Sequence, residues 1–204
     1  MCGIIGSFDK EKLICLFELN KLRGNKTFSL LSIKNNEIIN KIRNIGAFNT
    51  NILNNIQFNN ETYHIIHIQS PTEITELSKD NIHPSEINNT YLWHNGMLTS
   101  EQIKKFNENW DTKIIHKLFL DDLNNLNNLE GSFSCVYFDI CRGILLFRNK
   151  ISPMFIDDEC NISSTQFINC KKTTPNTLYK LDFKEKKIIQ TDINFNNNYN
   201  PFGI

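Results

Sequence analysis

Long hydrophobic runs are missing from this chain. The longest, such as Gly143-Ile144-Leu145-Leu146-Phe147, are strand-sized, far short of the roughly 20 residues a membrane helix needs. The amino terminus has no basic stretch leading into an apolar one, so no secretory signal is expected. Neither charge is in excess: 22 Lys and Arg face 22 Asp and Glu. That balance argues against nucleic acid or an anionic membrane as a partner. The cysteines at 2, 15, 135, 141, 160 and 170 include no CxxC pair, and no spacing among them reads as a metal site. Glycine and proline are sparse, and no Gly/Ser-rich or Pro-rich linker divides the chain. These absences predict a reduced, cytoplasmic protein with no metal and no cofactor, folded as one domain over residues 1–204.

What is present supports a sizeable core, because 40% of the residues are hydrophobic and a 23.8 kDa chain can bury them. Asn-rich patches such as 51–55 and 194–200 interrupt structured apolar runs and read as the bias of an A/T-rich coding sequence. Ile4–Phe8 predicts a short strand at the terminus. Lys10–Leu22 carries apolar residues at helical spacing, with Arg23-Gly24 as its expected stop. Residues 28–33 and 37–42 flank Lys34-Asn35-Asn36, a hairpin signal. Further strands are expected at Tyr63–Ile68 and Thr90–His94. Two helices should follow, one opening at Ser100 and one running from an Asp111-Thr112 cap to about Leu123. From Gly131 onward strands dominate. The pattern predicts an α+β domain whose sheets cover each other, with helices gathered in two regions.

The chemistry starts at Met1-Cys2-Gly3-Ile4-Ile5-Gly6. Removal of Met1 would leave Cys2 first, with a thiol and a free α-amine on one residue. The thiolate is the nucleophile. An α-amine, titrating near 7.7–8.0, is suited to take the thiol proton directly or through a water. Taken alone, a cysteine near a start is as readily a small buried hydrophobe. Three further motifs follow in order: Leu22-Arg23-Gly24 closing the first helix, Asn81-Ile82-His83-Pro84, and His94-Asn95-Gly96 after a strand. Leu129-Glu130-Gly131 before a strand, Arg148 through Pro153 and Pro175 through Asp182 add weaker echoes.

With Cys2 at its head, this series resembles the glutaminase domain of class II (N-terminal nucleophile) glutamine amidotransferases, such as that of glucosamine-6-phosphate synthase. The resemblance spans essentially the whole chain. It implies a four-layer αββα N-terminal-nucleophile hydrolase sandwich and hydrolysis of glutamine to glutamate and ammonia through a Cys2 thioester. Asn95 and Gly96 would supply the oxyanion donors. Asp111 would bind the substrate α-ammonium, and Arg23 would order the terminal region. The ammonia would pass to a separate synthetase subunit, since the chain shows no second catalytic domain before Ile204. The residue-level alternatives are a simple Asn-Gly turn at 95–96, a helix cap at Asp111, and a surface arginine at Arg23. His67, His83 and His94 are expected to pack or hydrogen-bond rather than to act as a base.

One stretch departs from the family pattern. The resemblance implies an arginine that clamps the substrate carboxylate two residues after a strand-end histidine. Here that position is Gln69, in His67-Ile68-Gln69-Ser70-Pro71-Thr72-Glu73. Gln69 and Thr72 therefore stand on the substrate side without a charged fork. Arg23 or Lys26 could supply the missing cation. The departure also keeps two other functions in view: amide hydrolysis of another substrate, and a non-catalytic amidotransferase-like binding module.

Overall fold

A computed structural model of the chain describes residues 2–70 and 79–201. Two antiparallel sheets lie face to face. In the first, β1 (Cys2–Ser7) sits between β10 (Ile162–Ser163) and β4 (Thr62–Gln69). Beyond β4 come β2 (Thr27–Lys34) and β3 (Glu37–Ile45). Two short strands, β9 (Phe155–Ile156) and β11 (Lys171–Lys172), extend the other side. The second sheet runs β5 (Ser85–Ile87), β6 (Thr90–Leu98), β7 (Gly131–Asp139), β8 (Gly143–Arg148), β12 (Thr177–Asp182) and β13 (Lys187–Asn194).

Period-two alternation sets the layers. Ile4, Leu31, Tyr63 and Ile65 of the first sheet meet Trp93, Val136, Phe138 and Leu146 of the second in one buried core. The outer face of the first sheet, including Phe28, Leu30 and Ile66, packs on Leu13 and Leu16 of α1 (Lys10–Asn20). The outer face of the second, including Leu92, Phe133 and Phe147, packs on Ile114, Ile115 and Phe119 of α3 (Asp111–Asp121). A short α2 (Ser100–Phe106), capped by Thr99, joins β6 to α3. The order is helix, sheet, sheet, helix: the expected four-layer αββα sandwich of the N-terminal-nucleophile hydrolases.

Several local expectations are met. Asn35 and Asn36 both take positive φ, the two-residue turn that closes β2 on β3. Others are corrected. Gly24 is not a left-handed helix stop: α1 ends at Asn20, a 3-10 turn carries Lys21–Arg23, and Gly24 is extended at φ −167°. It is small for another reason, since a Cβ there would strike the backbone of Gln69. Asn95-Gly96 is not a turn, because β6 continues through both to Leu98. Nor does Asp111 cap its helix: Trp110 holds the cap position without a side-chain bond, and Asp111 is the first helical residue. Among the described residues no helix is long and apolar enough to cross a membrane.

Candidate active site

The site gathers where the two sheets open, at the start of β1. Cys2 pairs with Gln69 on β4, and Gln69 pairs in turn with Thr27 on β2. Cross-strand partners share a face, so all three side chains point between the sheets. Across the gap β1 packs against β6, whose inward series Trp93, Asn95 ends at the same mouth.

Cys2 is half-buried and free. Burial pushes its thiol up to about 12, and the carboxylate of Asp111 adds to the rise. The Ser70 N–H, which donates to the sulfur, and the Arg23 guanidinium act the other way. A thiol held that high does not ionise unaided at neutral pH, so a nucleophilic Cys2 needs a base within hydrogen-bond reach. Asp111 is ionised despite its burial. Burial opposes its charge, but His94 beside it and the N–H groups of Leu98 and Thr112 hold it below the usual carboxylate range. Its Oδ1 accepts from Thr112 N at 2.7 Å and lies 3.7 Å from His94 Nδ1.

Asn95 is buried to 3% exposure, yet its side-chain amide has no hydrogen-bond partner among the described residues. Its register neighbour Ser134 is likewise buried with an unpartnered hydroxyl. An amide here that bonds no described protein group is available to a ligand. Gly96 has φ +151°, and a Cβ there would be driven into the Ser132 carbonyl oxygen. Only glycine lets β6 lie this close to β7 at the site.

Gln69 does not project freely. Its Oε1 accepts from Thr27 Oγ1 at 2.9 Å and faces His83 Nδ1 at 3.3 Å. His83 Nε2 meets Thr112 Oγ1 at 2.9 Å, and Thr112 Oγ1 lies 3.3 Å from His94 Nδ1. The ring of His67 stacks on His83 at 3.8 Å, and His67 Nε2 donates to the His94 carbonyl. Burial lowers His67 to about 3. It holds His83 well below its ordinary value too, with His67, His94 and Arg43 adding repulsion. Both rings are therefore neutral hydrogen-bonding groups, and they tie the ends of β4 and β2 to the start of α3.

Arg23, on the turn after α1, donates from Nε to the Cys2 carbonyl at 2.8 Å. Of the residues singled out from sequence, Cys2, Gln69, Arg23, Asn95, Gly96 and Asp111 thus lie together at one end of the facing strands. Thr72, with Glu73, lies outside the described residues. Sequence reasoning missed Thr27, Ser70 and Thr112. The first two carry no motif, and Thr112 was visible only as a helix-start residue beside Asp111. Among the described residues no three His, Cys, Asp or Glu side chains converge as metal ligands.

No protein-family model matches this chain, and no curated protein matches its sequence. Solved structures do. Glutamine phosphoribosylpyrophosphate amidotransferase from B. subtilis, complexed with ADP and GMP, superposes with a TM-score of 0.65 at 16% identity over 93% of this chain. A structure described as the allosteric regulatory enzyme of purine biosynthesis gives 0.67 at 15% identity over 94%. The chain spans about half of each, 49% and 48%. At such identities the likeness is one of fold, and the fold is that of the class II, N-terminal-nucleophile amidotransferases.

Proposed function

We propose that this chain is a glutaminase: it hydrolyses the side-chain amide of glutamine through Cys2 and passes the ammonia to a partner synthetase. The observation that carries the reading is the Cys2–Asn95 arrangement. It sets a thiol with a hydrogen bond from the Ser70 N–H opposite a buried amide with unspent donors, on facing strands β1 and β6. In this mechanism Met1 is removed and the freed α-amine takes the thiol proton. The thiolate attacks the amide carbon, and the oxyanion is stabilised by the Asn95 side chain and the Gly96 N–H. The ammonium thus formed protonates the leaving nitrogen, and ammonia departs. Water, deprotonated by the same amine, then hydrolyses the γ-glutamyl thioester to glutamate and returns the thiol. Asp111 suits the substrate α-ammonium, being charged and close enough to influence the Cys2 sulfur.

Ammonia released into bulk water is protonated and lost as a nucleophile, so a covering partner is part of the proposal. Leu22, next to Arg23 in the chain, is 94% exposed and Met97, next to Gly96, is 52% exposed, which leaves apolar side chains near these residues for a partner to cover. The neutral Gln69 favours a second reading, hydrolysis of an amide that has no carboxylate.

The test is ammonia release from glutamine together with labelling by a glutamine-mimicking diazoketone. Wild type should release ammonia and gain one adduct at residue 2, with Met1 absent from the intact mass, and Cys2→Ala should do neither. Stoichiometric labelling at Cys15 or Cys141 with residue 2 unmodified would overturn the assignment.

A further inference from the structure

The cleft needs a group to hold the carboxylate of its substrate, and β4 offers only Gln69. That residue is already engaged, its carbonyl oxygen taken by Thr27 and facing His83. What it can still present is the neutral amide N–H2, a single weak donor compared with a guanidinium fork.

Arg23 has the opposite character. Only its Nε is used, on the Cys2 carbonyl. The four terminal N–H groups of its guanidinium have no acceptor among the described residues. The half-buried side chain remains a cation, because arginine does not deprotonate in proteins. Its backbone is fixed at several points around the same end of β4. Gly24 is wedged against Gln69, Lys26 N donates to the Gln69 carbonyl at 2.9 Å, and Asn25 N reaches Ser70 Oγ at 3.4 Å. Preceding it, the Asn20 amide donates to Leu16 O and Ser163 Oγ, tying the end of α1 to β10. A charged planar donor is thus held rigidly at the nucleophile with most of its donors unspent. Lys26 is exposed, and among the described residues no contact anchors its ammonium.

We infer that Arg23 is the carboxylate-binding residue of this site, a specificity determinant that selects amino-acid amides over simple amides. Its field reaches the Cys2 sulfur, as that of Asp111 does with opposite sign. A zwitterionic head group would therefore find a cation on the Cys2 side and an anion at the start of α3, while Gln69 adds one neutral hydrogen bond. The inference rests on the glutaminase reading for the identity of the substrate but not for the binding itself.

The experiment measures equilibrium binding of L-glutamine and of 4-aminobutanamide, which keeps the amine and amide but lacks the carboxylate. Titration calorimetry on the Cys2→Ala chain keeps catalysis out of the measurement. Arg23→Gln should weaken glutamine about 10–100-fold more than it weakens 4-aminobutanamide, the range expected for losing a charge-assisted contact. Arg23→Lys should recover part of that discrimination. Equal weakening of both ligands would assign Arg23 to holding the Cys2 carbonyl alone and overturn the inference. So would a selective loss that appears with Gln69→Leu and not with Arg23→Gln. Selective binding by a chain whose Cys2 form releases no ammonia would sink the glutaminase reading and leave the carboxylate assignment standing. No binding of either ligand would sink both.

Discussion

The two sheets bring unlike halves of the cleft together. The β6 side carries Asn95, Gly96 and the neighbouring Asp111, with glycine enforced at 96 by the Ser132 carbonyl. The β1–β4 side carries the proposed nucleophile, Cys2, beside a neutral amide, Gln69, pinned by Thr27 and His83. The contrast separates two demands on a catalytic site. Stabilising a developing oxyanion fixes donors to within a fraction of an ångström of the reacting atoms. Recognising a substrate's remote end can be met from several places on a rigid scaffold, and under the proposed function the charge for it would come from another element.

Asn95→Ala would break the comparison most sharply. If the β6 half acts on the transition state, turnover should fall about 10²–10³-fold, with KM and folding stability nearly unchanged. Steady-state ammonia release alongside a denaturant midpoint reads this. Near-normal turnover would leave the unspent amide unexplained and the β6 half without a catalytic role.

Acid should expose the buried neutral histidines, of which His67 lies between the halves. Burial lowers His67 to about 3, and His64 and His116 to about 4, whereas an unfolded imidazole titrates near 6.5. Between those values the unfolded chain binds more protons, so stability is full above about pH 6.5 and declines as pH falls towards 4. Between pH 7 and pH 5 each of these rings should contribute a loss of about 2 kcal/mol, about 6 kcal/mol for the three together, measured as a shift of the urea midpoint. His116→Gln should shrink the loss. A flat profile over that range would contradict neutral buried imidazoles.

The smallest effect belongs to Thr27→Val, which keeps shape but removes the donor to Gln69 Oε1. The cost should be about 1 kcal/mol. It should appear as a rise of a few-fold in KM for glutamine with kcat held, since Gln69 contributes one neutral hydrogen bond. A loss of kcat as large as that of Asn95→Ala would mean that the β4 half also positions the reacting atoms.

Much of this arrangement is legible without coordinates. The hairpin at Asn35-Asn36, the β6 and β7 strands and α3 follow from periodicity and turn chemistry, because those signals act over a few residues. Local expectations fail where a distant neighbour takes over. Gly24 looks like a helix stop but is small because Gln69, far along the chain, lies against it. Asn95-Gly96 looks like a turn, yet pairing with β7 carries the strand through it. Asp111 looks like a cap, yet its carboxylate turns to the end of β6.

By itself the sequence determined the alternation that makes two sheets, the helical stripes that cover them, and the order of motifs headed by Cys2. These depend on residue type and spacing alone. Only the tertiary structure decided which side chains meet at the cleft. The Cys2–Gln69–Thr27 row arises from antiparallel register between strands separated by tens of residues. The His83–Thr112 contact arises from α3 packing on the second sheet. The free donors of Arg23 stand at Cys2 because the turn after α1 folds back against the end of β4. Burial likewise decides charge: the same thiol and imidazoles titrate near their ordinary values in water, and desolvation between the layers is what moves them.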